Sequence, residues 1–83
     1  MTRPPLKLIE WEDAYNGNHD WIEVAEVAHP AKPIIVSTIG FEVWRDDATV
    51  TLAMSHSVQL GKPTVCDLFT IPVGMIRKER VLR

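Results

Sequence analysis

Three histidines, His19, His29 and His56, are the side chains best suited to exchanging a proton near neutral pH or to holding a metal. Asp20 or Asp67 could add an oxygen ligand. No two histidines have the close spacing of a helical or knuckle site, however, and there is a single cysteine. Histidines scattered in this way belong to loops and strand edges, so neither a metal nor another cofactor is expected. Cys66 with His56 would make a thiol–imidazole pair across neighbouring strands, but such a base needs a third group to orient it, and no residue nominates itself. Beside Val65 and Leu68, Cys66 reads instead as buried packing. Glu10, Glu12 and Asp13 could supply paired acids, although carboxylates clustered on an outward strand face are ordinarily just solvated. The four glycines, at 17, 40, 61 and 74, stand alone and form no phosphate cradle. The expectation is a protein that is not an enzyme.

Residues suited to recognition are easier to name. Arg77, Lys78 and Arg80 form the one basic cluster, with Arg77 and Glu79 pointing to one side of a strand and Lys78 and Arg80 to the other. Such charges protect a sheet edge, or they meet a polyanion. Trp44, near the end of a strand, is the tryptophan most open to a partner, since indoles favour interfaces and base-stacking surfaces alike. Trp44, Arg77, Lys78 and Arg80 are therefore the candidate interface or ligand-binding residues.

The 83-residue chain is expected to form a single domain over residues 1–83, with 46% apolar residues and a formal charge of −2. A generic nucleic-acid binder would carry a basic surplus. The charge is segregated along the chain. Residues 1–30 hold six carboxylates against Arg3 and Lys7, a net −4, whereas residues 75–83 carry a net +3. Two solvated faces account for this, as would a head-to-tail contact between subunits. There is no apolar run long enough to span a membrane and no secretory leader pattern, and one cysteine suits a reducing cytoplasm.

These groups must be positioned mainly by strands. Residues 6–15 read as a strand with Ile9, Trp11 and Tyr15 on one face, followed by a turn at Asn16-Gly17-Asn18. Residues 20–28 combine an Asp20/Glu23 capping pattern with Trp21, Val24, Ala25 and Ala28 at helical spacing, which predicts a short helix or helical turn ended by Pro30 and Pro33. Residues 34–45 and 48–58 are β-rich, with Asp46-Asp47 as the tight turn between them. The second strand sets Val50, Leu52 and Met54 against Thr49, Thr51, Ala53 and Ser55. The first strand is apolar on both faces, with Ile35, Ile39, Phe41 and Val43 opposite Ile34, Val36 and Trp44, and Gly40 permits a bend at its middle. A loop at 59–63, a strand at 64–71, a turn at Pro72-Val73-Gly74 and a last strand at 75–82 complete the chain. The predicted fold is mainly β: a small, strongly bent, five-stranded antiparallel barrel with one short helix or helical turn.

Several segments resemble a group of small phage- and prophage-encoded proteins of unassigned function. They are the Trp11 strand, the Trp21 segment, Thr38-Ile39-Gly40, residues 50–55 (Val-Thr-Leu-Ala-Met-Ser) and, most specific, the Ile71-Pro72-Val73-Gly74-Met75-Ile76 turn. The order of elements is also similar to the Sm-like small β-barrel, whose members commonly form rings, some of which bind RNA. Here the helical turn follows a strand, and Pro72-Val73-Gly74 stands where the RNA-binding members carry a basic loop. The resemblance implies an interaction or accessory protein in a host-cell cytoplasm, partnered by copies of itself or by another protein and acting away from membranes. An Sm-like binder of RNA or single-stranded nucleic acid is the alternative, and a binder of small anions such as nucleotides at subunit interfaces is a further one.

Overall fold

Five strands carry most of the regular structure in the computed structural model, which describes residues 3–13, 21–26 and 34–83. They are β1 (Leu6–Asp13), β2 (Ile34–Arg45), β3 (Thr49–Gln59), β4 (Lys62–Pro72) and β5 (Ile76–Val81). All pair antiparallel in one sheet, in the order β4-β3-β2-β1-β5. Among the described residues no helix is long and apolar enough to cross a membrane.

Local chemistry explains the two tight connections. Between β2 and β3, the Asp46 carboxylate accepts the backbone N–H groups of Ala48 at 2.8 Å and Thr49 at 2.7 Å. These bonds, followed by one from the Trp44 indole, hold its pKa below the usual carboxylate value. Between β3 and β4, Leu60 and Gly61 both adopt positive φ, 53° and 74°. That backbone lets a two-residue turn follow the twist of the flanking strands. The loop expected at 59–63 is thus only two residues long, and Pro63 lies inside β4, an edge strand whose outer side needs no N–H donor.

The sheet coils until one face meets itself. Ile9, Trp11, Val50, Leu52 and Ile71 form the buried core, with Val36, Val73 and Ile76 packed against it. Trp11 on β1 and Phe69 on β4 stand three places apart in the sheet, yet their rings come within 5.5 Å. Trp11 also donates its indole N–H to the Thr38 hydroxyl at 2.9 Å, which satisfies the polar atom of a side chain that is otherwise buried. Ile9 and Trp11 share the buried face as their spacing predicts; Tyr15 lies outside the described residues.

Several expectations are corrected. The five antiparallel strands form, but the sheet stays open rather than closing into a barrel, because β4 and β5 remain as two separate edges. Pro63, Pro72 and a left-handed Asp67 (φ 57°) interrupt the edge of β4, and Arg77, Lys78 and Arg80 line β5. Each of these features discourages pairing. The helical turn expected in the 20–28 region is present among the described residues as a 3₁₀ turn at Val24–Glu26, and Trp21 and Val24 are almost fully exposed. Asp20, Ala28, Pro30, Pro33 and the turn at Asn16-Gly17-Asn18 lie outside the described residues. In β2 one extra residue, Val43, enters the ladder between Glu42↔Leu52 and Trp44↔Thr51. This bulge places Trp44 on the same side as Phe41, which pairs with Ala53, instead of opposite it. In β3, Val50 and Leu52 are buried but Met54 is half exposed, because β3 leaves β2 after Ala53.

Candidate functional site

The four residues singled out for recognition do not converge. Trp44, 58% exposed, donates its indole N–H to Asp46 at the β2–β3 turn. Arg77 pairs with Glu12 across to β1. Lys78 and Arg80 stand opposite Glu10 and Leu8 on the β1–β5 ladder. Together with Glu79 these four residues line an open depression of about 510 Å³. Two carboxylates on its wall, Glu10 and Glu79, oppose the capture of an anion there.

Antiparallel pairing of β1 with β5 also brings the acidic early segment against the basic late one inside a single chain. Lys7 bonds both Glu42 and Glu79 at 3.1 Å, and Arg45 bonds Glu42 at 2.8 Å and Glu79 at 2.5 Å, a closed square of alternating charge. For Glu42, burial alone would raise the pKa. The hydrogen bonds from Arg45 and Lys7, reinforced by their charges, outweigh burial and hold it below its ordinary 4.5. The Glu42 hydrogen bond likewise raises the Arg45 pKa.

The catalytic possibilities fare as follows. His19 and His29 lie outside the described residues. His56 packs its ring 5.7 Å from Phe41, and its Nε2 atom is buried without a hydrogen-bond partner among the described residues. Cys66 is exposed, not buried, and its thiol lies 3.8 Å from the Asp67 carboxylate. Cys66 is directly opposite Ser55, whereas His56 is opposite Val65, so thiol and imidazole belong to opposite faces of the ribbon.

A more distinctive feature is a fork in the sheet. The β2–β3 ladder runs from Arg45↔Val50 to Phe41↔Ala53 and stops there. Residues 34–39 of β2 therefore pair only with β1, and residues 54–59 of β3 only with β4, among the described residues. At the base of the fork lies an open cleft of about 490 Å³ lined by Val36, Thr38, Met54, Asp67, Leu68 and Phe69.

Beyond the fork, β3 and β4 continue as a two-stranded arm. Directly opposed residues share a face, so His56/Val65 and Val58/Pro63 make one side apolar, and Ser55/Cys66, Ser57/Thr64 and Gln59/Lys62 make the other polar. Sequence reasoning could not find the fork, because which strand edges stay unpaired depends on pairing and not on residue type. Only the two apolar faces of residues 34–39 hinted that this strand needs cover on both sides.

No protein-family model matches the chain, and no curated protein or solved structure matches it either.

Proposed function

We propose that this chain is a non-catalytic assembly protein that works as a homo-oligomer, in an accessory role of the kind its resemblance to small phage-encoded proteins implies. One observation carries this reading: a group of large apolar side chains lies exposed around the fork and its arm. Ile34, Ile35, Ile39, Met54, Val58, Val65, Leu68 and Phe69 are all well exposed, and they cluster around the fork and its arm. Contiguous apolar surface of this kind marks interaction sites. Nucleic-acid binding has weaker support, because Arg45 and Arg77 are engaged by carboxylates and Lys78 stands opposite Glu10. Exposed Trp44 and Arg80 favour it.

Light scattering coupled to size-exclusion chromatography tests the proposal. The expected result is a mass at least twice 9.4 kDa that persists in high salt, since apolar burial is not screened. A mass of 9.4 kDa at every concentration would refute it.

A further inference from the structure

The fork has two rims, and neither carries any of the devices that keep strand edges apart. The β2 rim reads Ile34-Ile35-Val36-Ser37-Thr38-Ile39, and the β3 rim reads Met54-Ser55-His56-Ser57-Val58-Gln59. Both lack acidic residues, lysine, arginine, proline and bulges. The outer edges of β4 and β5, in contrast, carry Pro63, Pro72 and a left-handed Asp67 on one side and Arg77, Lys78 and Arg80 on the other. Natural sheets blunt edges that must stay free and leave bare those that are paired.

We propose that the fork is filled by a second copy of the chain, with the β3–β4 arm of each copy laid edge to edge along residues 34–39 of the other. This names the surface behind the self-association proposed above and rests on that reading. The arm suits the position. It is a two-stranded ribbon whose base packs on its own chain through His56 and Phe41, while its farther part has less to lie on. Its Val58/Pro63 and Val65 face is apolar, and Val58 is 53% exposed. The β2 rim needs what the arm supplies. Ile35 is 53% exposed and Ile39 49%, on a strand apolar on both faces. Arm and rim belong to the same chain, so two copies related by a twofold axis satisfy each other twice and the assembly closes as a dimer.

The test uses two double variants of the full chain, V58K/V65K on the arm and I35K/I39K on the rim. Each side receives lysines, so the two altered surfaces cannot attract one another. Each variant alone is expected to fall from the dimer mass to 9.4 kDa. An equimolar mixture is expected to recover dimer, because one intact arm then meets one intact rim. Amide exchange of the unaltered protein supplies a second readout that does not depend on the variants. The amides of 34–39 that point away from β1 should be protected in the dimer and lose protection on dilution. Three results overturn the proposal: variants that keep the wild-type mass, mixtures that stay monomeric although each variant is folded by circular dichroism, or rapid exchange along 34–39 in a sample shown to be dimeric. If the wild-type protein assembles but the variants do not weaken it, only this surface falls. A wild-type protein that is monomeric throughout removes self-association as well.

Discussion

Leu52 and Glu42 are cross-strand neighbours with opposite demands on their surroundings. Leu52 is fully buried in the cluster with Ile9, Trp11, Val50 and Ile71. With so few residues sharing that core, truncation leaves a cavity that little else can fill. Leu52→Ala is expected to cost about 2–5 kcal/mol in a denaturant titration. A loss below about 0.5 kcal/mol, the size of an ordinary surface effect, would show that the face is not buried. Glu42 anchors the charge square with Lys7, Arg45 and Glu79. Its folded pKa lies below 4.5, so the carboxylate adds stability above that pH, and the contribution disappears as pH falls through the lowered value. Glu42→Gln is therefore expected to melt earlier than the parent at pH 7 and to show a shallower loss of melting temperature between about pH 5 and pH 2. Parallel acid limbs in the two melting profiles would show that Glu42 is not the group responsible.

At the scale of elements, Gly40 adjoins Phe41, where β2 passes from pairing with β1 to pairing with β3. A Cβ placed there would lie 2.9 Å from the Leu52 Cβ and 3.0 Å from the Ala53 carbonyl oxygen. Neither is the movable end of a side chain. Gly40→Ala is thus expected to destabilise by about 1–3 kcal/mol through overpacking, read as a lower denaturant midpoint. A neutral result would mean that the two strands do not approach so closely. The same element shows how much of the fold is legible in the residues. Runs of β-branched residues mark β2 and β3 closely, and the carboxylate of Asp46 marks the turn between them. The bend at Gly40 is visible as a lone glycine in an apolar strand. The bulge at Val43 leaves no such sign, because it is a property of the ladder, and with it goes the side on which Trp44 lies. Met54 continues the alternation of Val50 and Leu52, yet it is exposed because the sheet forks beneath it. Trp21 and Val24 have helical spacing yet are almost fully exposed, since periodicity alone does not fix which face is covered. Of the candidate site, the openness of Trp44 could be read from its place near a strand end. The unpaired rims could not.

The whole molecule is extended for its length. Its radius of gyration is 17.3 Å, with principal extents of 59 × 23 × 20 Å, where a compact domain of this size has about 12 Å. Closure into a barrel would have hidden the two outer edges. Instead those edges are blunted by proline, a left-handed residue and basic side chains, while the bare edges lie within the sheet, at the fork. Part of the segregated charge is met inside the chain, where Arg77 pairs with Glu12 and Lys78 stands opposite Glu10. The rims proposed to meet at the fork carry no acidic residue, lysine or arginine, so added salt is expected to leave the assembled mass unchanged. A mass that falls steeply between about 0.05 and 0.5 M salt would return the charged ends to the interface.

The Leu6 N–H donates to the Arg83 carbonyl at 2.8 Å, the Leu82 N–H donates back to the Leu6 carbonyl at 2.7 Å, and Lys7 meets Glu79 across 72 positions of sequence. β1 therefore completes its pairing only once β5 has been made. At about 5–20 residues per second, the outer edge of β1 waits roughly 3–15 s on the ribosome before β5 exists to cover it. Contacts so distant in sequence also place refolding in the slow, millisecond-to-second class. During that interval the edge of β1 that later meets β5 is bare and open to mispairing.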